Sequence, residues 1–105
     1  MAKPVIDKAE VSIEFPDKYY YGTFSRASSF DVTADNVGLH IFLDRMGEDP
    51  RHVGFHLQYY LLAGIIESAA SSISEMGTLP PGPRDRLLDA ARELVDAIEA
   101  ANDSK

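Results

Sequence analysis

The stretch DPRHVGFHLQYYLLAGIIESAASSISEM, residues 49–76, decides the fold of this chain. Apolar residues recur in it at steps of three and four, which is typical of an amphipathic helix. Asp49 can cap a first helical turn, and Pro50 suits the first helical position. We therefore predict one long helix from Asp49 to Met76, ended by Gly77. Its apolar face carries Phe55, Tyr59, Leu62, Ile66, Ala69, Ile73 and Met76.

The length of this helix is itself informative. At 1.5 Å per residue it would extend about 40 Å. A compact domain of this chain's size has a radius of gyration of only about 13 Å. We therefore expect that the helix bends at Gly64 or that something outside the chain covers part of it.

Shorter patterns upstream of the helix predict strands. Val11, Ile13 and Phe15 alternate with polar residues, as in a half-buried strand. A second, aromatic-rich strand follows a turn at Pro16, Asp17 and Lys18. Asp35 and Asn36 then suit the turn of a hairpin. The predicted strands lie at residues 11–15, 19–25, 30–34 and 37–45.

After Gly77, three prolines at positions 80, 81 and 83 delay a second amphipathic helix, which we predict at residues 84–101. Strands first and helices after favour an α+β fold, in which a three- or four-stranded antiparallel meander is followed by two helices packed on one face. We expect a single α+β domain over residues 9–101. Residues 1–8 are expected to be a frayed N-terminus, and residues 102–105 a polar tail.

Composition excludes several classes of function. The 105 residues contain no cysteine, so disulfides, thiolate zinc sites and a cysteine nucleophile are impossible. The net charge of -7 disfavours nucleic acid as a partner, since such proteins bind phosphates through clustered Lys and Arg. The most apolar window, residues 53–66, is too short to cross a bilayer, so no membrane partner is expected. We expect a cytoplasmic protein.

A divalent metal is the one cofactor that the sequence suggests. On the predicted helix, His52 and His56 lie one turn apart, so their imidazoles could meet at one ion. Glu48 lies just upstream, and His40 could approach from the sheet. These are ligand types that bind zinc, nickel or ferrous iron. The alternative is that these histidines are ordinary polar surface residues.

The long helix also suggests self-association, because a helix that is apolar nearly all round must be covered nearly all round. Small residues on the helix and aromatic residues of the second strand are the candidates for the contact. The predicted interface residues are Tyr60, Gly64, Ser68, Tyr20 and Phe24.

We therefore expect a small non-enzymatic interaction module, acting as a homodimer or with another protein. The alternative is a metal- or small-ligand-binding domain that uses His52 and His56. An enzyme ranks third, because the sequence contains no glycine-rich phosphate loop and no Gly-x-Ser-x-Gly elbow.

Overall fold

A computed structural model describes residues 2–16 and 18–101, apart from the side chains of Phe15, Lys18 and Tyr20. Within this part of the chain, strands come first and two helices follow, which confirms the α+β class. The strands are β1 (Lys3–Pro4), β2 (Ala9–Phe15), β3 (Lys18–Phe24), β4 (Ser28–Ala34), β5 (Gly38–Arg45) and β6 (Arg51–Gln58). The helices are α1 (Tyr59–Met76) and α2 (Pro81–Ala100).

The strands form two antiparallel sheets. The larger has four antiparallel strands in the order β1-β4-β5-β6, which agrees with the predicted three or four antiparallel strands, although β1 and β6 were not among the predicted strands. The smaller pairs β2 with β3, so these two strands form a sheet of their own. Where one domain over residues 9–101 was expected, the chain divides into two compact units at residues 1–65 and 66–105. We call them the strand unit and the helix unit.

The first residues of the chain differ from the expectation of a frayed end. Lys3 and Pro4 pair with β4, and the Val5 amide donates to the Ser28 carbonyl at 2.9 Å. The Val5 side chain is buried. A strand of two residues has no periodicity, so the sequence pattern could not reveal it. Met1 and the predicted polar tail, residues 102–105, lie outside the described residues.

The β2–β3 pair supplies the largest buried side chain of the strand unit. Phe24 is fully buried, and the Arg45 guanidinium lies 5.8 Å from the centre of its ring. Arg45 also donates to the Thr23 carbonyl at 3.2 Å. The apolar residues buried in the described part of the chain are Val5, Phe24 and Val53. This is a small core for so many strands. Asp17, in the predicted turn between β2 and β3, lies outside the described residues.

The β4–β5 hairpin forms where it was predicted. Ala34 lies opposite Leu39, and the Asp35 amide donates to the Gly38 carbonyl at 3.0 Å. The carboxylate oxygen Oδ1 of Asp35 accepts the amides of Val37 and Gly38, so the Asp35 side chain closes the turn itself.

The predicted start of the long helix is wrong. Residues 51–58 form β6, antiparallel to β5, and α1 begins only at Tyr59. The reason is a second periodicity in the same residues. Val53, Phe55 and Leu57 alternate with His52, Gly54 and His56, a period of two that suits a strand. The apolar set lies opposite Leu43, Ile41 and Leu39 of β5.

The ends of the helices follow local chemistry. Helix α1 ends at Met76 as predicted, and Gly77 adopts a positive φ of 85°. Helix α2 begins at Pro81, three residues before the predicted start. The first amides of a helix have no intrahelical acceptor, so prolines there remove no hydrogen bond. The first main-chain bond joins the Arg84 amide to the Pro80 carbonyl at 2.9 Å. No helix of the described residues is long and apolar enough to cross a membrane.

Candidate functional site

Strand β6 changes which histidines can meet. Along a strand, His52 and His56 are about 13 Å apart, so they do not share one helical turn. The interpretation that these two histidines converge is therefore wrong. The register of β5 and β6 instead places His56 opposite His40, and His52 opposite Asp44. Residues that lie opposite each other share a face of the sheet.

The His40–His56 pair is close and nearly parallel. The two ring centres are 4.0 Å apart, with an angle of 10° between the ring planes. The Oδ2 oxygen of Asp35 lies 3.1 Å from Nε2 of His40 and 3.3 Å from Nε2 of His56. One ring nitrogen of each histidine and one carboxylate oxygen of Asp35 all lie within 4.8 Å of one another. One carboxylate oxygen thus faces two imidazole nitrogens.

The backbone holds the Asp35 carboxylate in this position. Its Oδ1 oxygen accepts the Val37 amide at 2.7 Å and the Gly38 amide at 2.8 Å. These amides, Gly38 first, are the main reason that the pKa of Asp35 falls to about 2, and the nearby His40 and His56 lower it further. The carboxylate is therefore ionised at neutral pH, with Oδ2 left for the histidines.

The start of α1 is tied to the same turn. The Tyr59 hydroxyl donates to the Asp35 carbonyl at 2.7 Å, and the Tyr59 amide donates to the Val37 carbonyl at 3.0 Å. The turn that carries Asp35 is thus held by β5 on one side and by the first residue of α1 on the other.

Two glycines explain why this face can form. A Cβ on Gly38 would lie 2.7 Å from the Leu57 carbonyl carbon, so only glycine lets β6 approach β5 here. This close approach belongs to the β5–β6 pairing in which His40 lies opposite His56. Gly54 lies opposite Phe42, whose ring is nearly parallel to that of His40 at 6.1 Å. A Cβ on Gly54 would lie only 3.1 Å from the Phe42 ring.

The cluster is open to solvent. The side chains of His40 and His56 are each 39% exposed and that of Asp35 is 44% exposed. Two imidazoles and one carboxylate can hold a divalent metal ion and leave room for an outside ligand. The same groups can also form a hydrogen-bonded cluster without an ion.

The structure brings together two of the four residues predicted as metal ligands, His40 and His56. It places Nδ1 of His52 within hydrogen-bonding distance of the Asp44 carboxylate. Glu48 lies in the connection between β5 and β6, at the opposite end of that hairpin from the Asp35 turn. Sequence reasoning missed Asp35 as a ligand. A strand prediction for residues 51–58 could have found it. Antiparallel pairing of that strand with β5 places His56 opposite His40, near the turn that carries Asp35.

The predicted interface residues have different environments. Phe24 is fully buried inside the chain, so its side chain is not available to a partner, which corrects the prediction for this residue. The side chain of Tyr20 lies outside the described part of the structure. Tyr60 is 95% exposed, Ser68 is exposed and Gly64 is partly buried. The contribution of these three to an interface stays a prediction.

The comparisons with known proteins add no functional assignment. No model of a known protein family, no curated protein and no solved structure matches the chain.

Proposed function

We propose that this protein is a non-enzymatic interaction module that works as a homodimer, with the apolar faces of α1 and α2 forming the contact between the two copies. The observation that supports this proposal most is the exposure of both helices. The structure describes every residue of the two helices, and none of them is buried.

Helix α1 exposes a continuous apolar stripe. Its residues are spaced by three and four positions, so they share one face of the helix. Ile66 is 45% exposed and Met76 is 64% exposed. A neighbouring row continues the apolar surface with Leu61 and Ile65. The α1 stripe consists of Tyr59, Leu62, Ile66, Ala69, Ile73 and Met76.

Helix α2 has a second stripe and a clear polar side. Leu87 is 53% exposed and Ile98 is 63% exposed, although both are apolar. The charged residues Asp85, Asp89 and Asp96 occur at other positions of the helix period. The α2 stripe consists of Leu87, Leu88, Ala91, Leu94, Val95 and Ile98.

In the described part of the helix unit, contacts between the two helices leave these stripes exposed. Within the helix unit, the segments 66–76 and 81–100 make at most isolated contacts with each other. An apolar helix face is normally buried against another element, because water disfavours exposed apolar area. Exposed apolar patches of this extent mark an interface.

A second copy is the occupant that we propose. The stripes contain no charged residue. They therefore lack a charge pattern that would select a partner with complementary charges. An apolar stripe is complementary to a copy of itself, and spacing by three and four suits the seam of a helix bundle. Two-fold dimers are also the commonest oligomers.

We also propose that the protein works in the cytoplasm.

Light scattering after gel filtration tests the proposal directly. At micromolar concentration we expect twice the chain mass of 11.6 kDa. Ile66→Asp places a charge in the α1 stripe and should give the single-chain mass. Ser71→Asp is the matched control, since it adds the same charge to the opposite side of α1 and should leave the dimer intact.

One result would contradict the homodimer, and a second would contradict the contact face proposed for it. The first is a single-chain mass for the unmodified protein at high concentration, which would favour a different protein as the partner. The second is dissociation by Ser71→Asp to the same extent as by Ile66→Asp. The contact would then lie on the side of α1 where Gly64 and Ser68 were predicted to contribute.

A further inference from the structure

We propose that Asp35, His40 and His56 bind one divalent transition-metal ion, with zinc as the ion that their geometry and chemistry fit best. None of the three ligands belongs to the helix stripes, although Tyr59 of the α1 stripe donates to the Asp35 carbonyl.

The separations of the ligand atoms suit a metal ion. Zinc binds imidazole nitrogen and carboxylate oxygen at about 2.0–2.2 Å, so two ligands of a tetrahedral site are about 3.3 Å apart. The separations from Asp35 Oδ2 to the two Nε2 atoms are 3.1 Å and 3.3 Å. One ring nitrogen of each histidine and one carboxylate oxygen of Asp35 all lie within 4.8 Å of one another. The two ring nitrogens therefore need to approach by at most about 1.5 Å to reach a tetrahedral separation.

The histidine rings must turn to bind. They are nearly parallel, so their in-plane lone pairs lie in nearly parallel planes and do not yet meet at one position. Both side chains are 39% exposed, which leaves them room to tilt. Where Nε2 carries the ring proton, that proton exchanges through water to Nδ1, and Nε2 becomes free to bind. Each imidazole then remains neutral, as a metal ligand must be.

The carboxylate is already oriented. The Val37 and Gly38 amides hold Oδ1 and leave Oδ2 directed toward the two histidines. Such partners of a ligand fix its orientation and commonly contribute a factor of 10–100 to metal affinity. Asp35 therefore needs no rearrangement to bind.

The chemistry of the ligands selects the class of ion. Imidazole suits zinc, nickel, copper and iron, whereas magnesium and calcium prefer sites made only of oxygen ligands. Three protein ligands leave a fourth position open, as in sites where the metal exchanges a water or a small anion. The open position faces solvent, because all three side chains are partly exposed.

Calorimetric titration of the full chain with zinc chloride tests the site. We expect one ion per chain with micromolar or tighter affinity, and no binding of magnesium chloride. His56→Gln should weaken zinc binding at least about 100-fold, because a lost ligand should matter more than a lost orienting partner. His52→Gln is the matched control, since it makes the same change four residues away in the same strand and should leave the affinity unchanged.

A measurement on the unmodified protein avoids dependence on the folding of variants. Nitrogen-15 spectra of the histidine rings should show that zinc shifts Nε2 of His40 and His56 and leaves the ring of His52 unaffected. Binding only at millimolar zinc, equal loss in both variants, or shifts at His52 alone would each overturn the proposal. None of these outcomes changes the expected dimer mass, so the two proposals can fail separately.

Discussion

Gly38→Ala is the substitution that most directly tests the register on which the candidate site depends. The added Cβ would lie 2.7 Å from the Leu57 carbonyl carbon and 2.8 Å from Cα of Gln58, and closer still to the Leu57 carbonyl oxygen. All three obstacles are backbone atoms, so no side chain can turn aside. The end of β6 must therefore move away from β5 by about 1 Å, at which distance the strand hydrogen bonds of this segment weaken.

We expect this change to lower the free energy of unfolding by about 3 kcal/mol, the upper end of the usual cost of overpacking. Gly64→Ala is the matched control, since a Cβ there meets nothing within 4 Å and alanine favours the helix. It should raise the free energy of unfolding by up to about 1 kcal/mol. Gly38→Ala should also weaken zinc binding, because separating the strands moves His40 away from His56.

Urea unfolding of the three proteins at one protein concentration gives both changes in free energy. The reasoning is refuted if Gly38→Ala lies within about 0.5 kcal/mol of the unmodified protein, the range of an inconsequential surface change. Destabilisation by Gly64→Ala would instead show that another helix approaches α1 at that position.

Three further changes test other parts of the structure. Phe24→Ala should lower the free energy of unfolding by about 3–5 kcal/mol, since it empties a fully buried position, and a loss below 1 kcal/mol in urea unfolding would contradict that burial. Gly77→Ala should cost about 1 kcal/mol in the same assay, because alanine is strained at a φ of 85°, and an unchanged midpoint would argue against this helix end. Asp35 has a folded-state pKa of about 2 against an ordinary 3.8, so its stabilising effect is complete above about pH 4 and is lost as the pH falls through 2. The free energy of unfolding of the unmodified protein should therefore fall more steeply from pH 4 to pH 2 than that of Asp35→Asn. An equal pH dependence in the two proteins would contradict this.

Several elements could be predicted because their causes are local. The alternation at residues 11–15 and the turn at Asp35 depend on side chains a few positions apart. The end of α1 depends on one glycine, whose positive φ other residues rarely adopt. The apolar rows of α1 and α2 follow from residue spacing alone, whereas self-association stays a prediction.

Residues 51–58 needed information from elsewhere in the chain. Their apolar residues fit a helical period together with Tyr59 and Leu62, and a period of two among themselves. Pairing with β5 decides between these, because Leu39, Ile41 and Leu43 already present an apolar face that Val53, Phe55 and Leu57 extend.

The candidate site depends on the same decision. The sequence contains its ligands but leaves His40 and His56 sixteen positions apart. Only the β5–β6 register brings their rings to 4.0 Å, and only the hairpin turn places Asp35 beside both. Tertiary structure decided the site because hydrogen bonds between strands join residues that no local period connects.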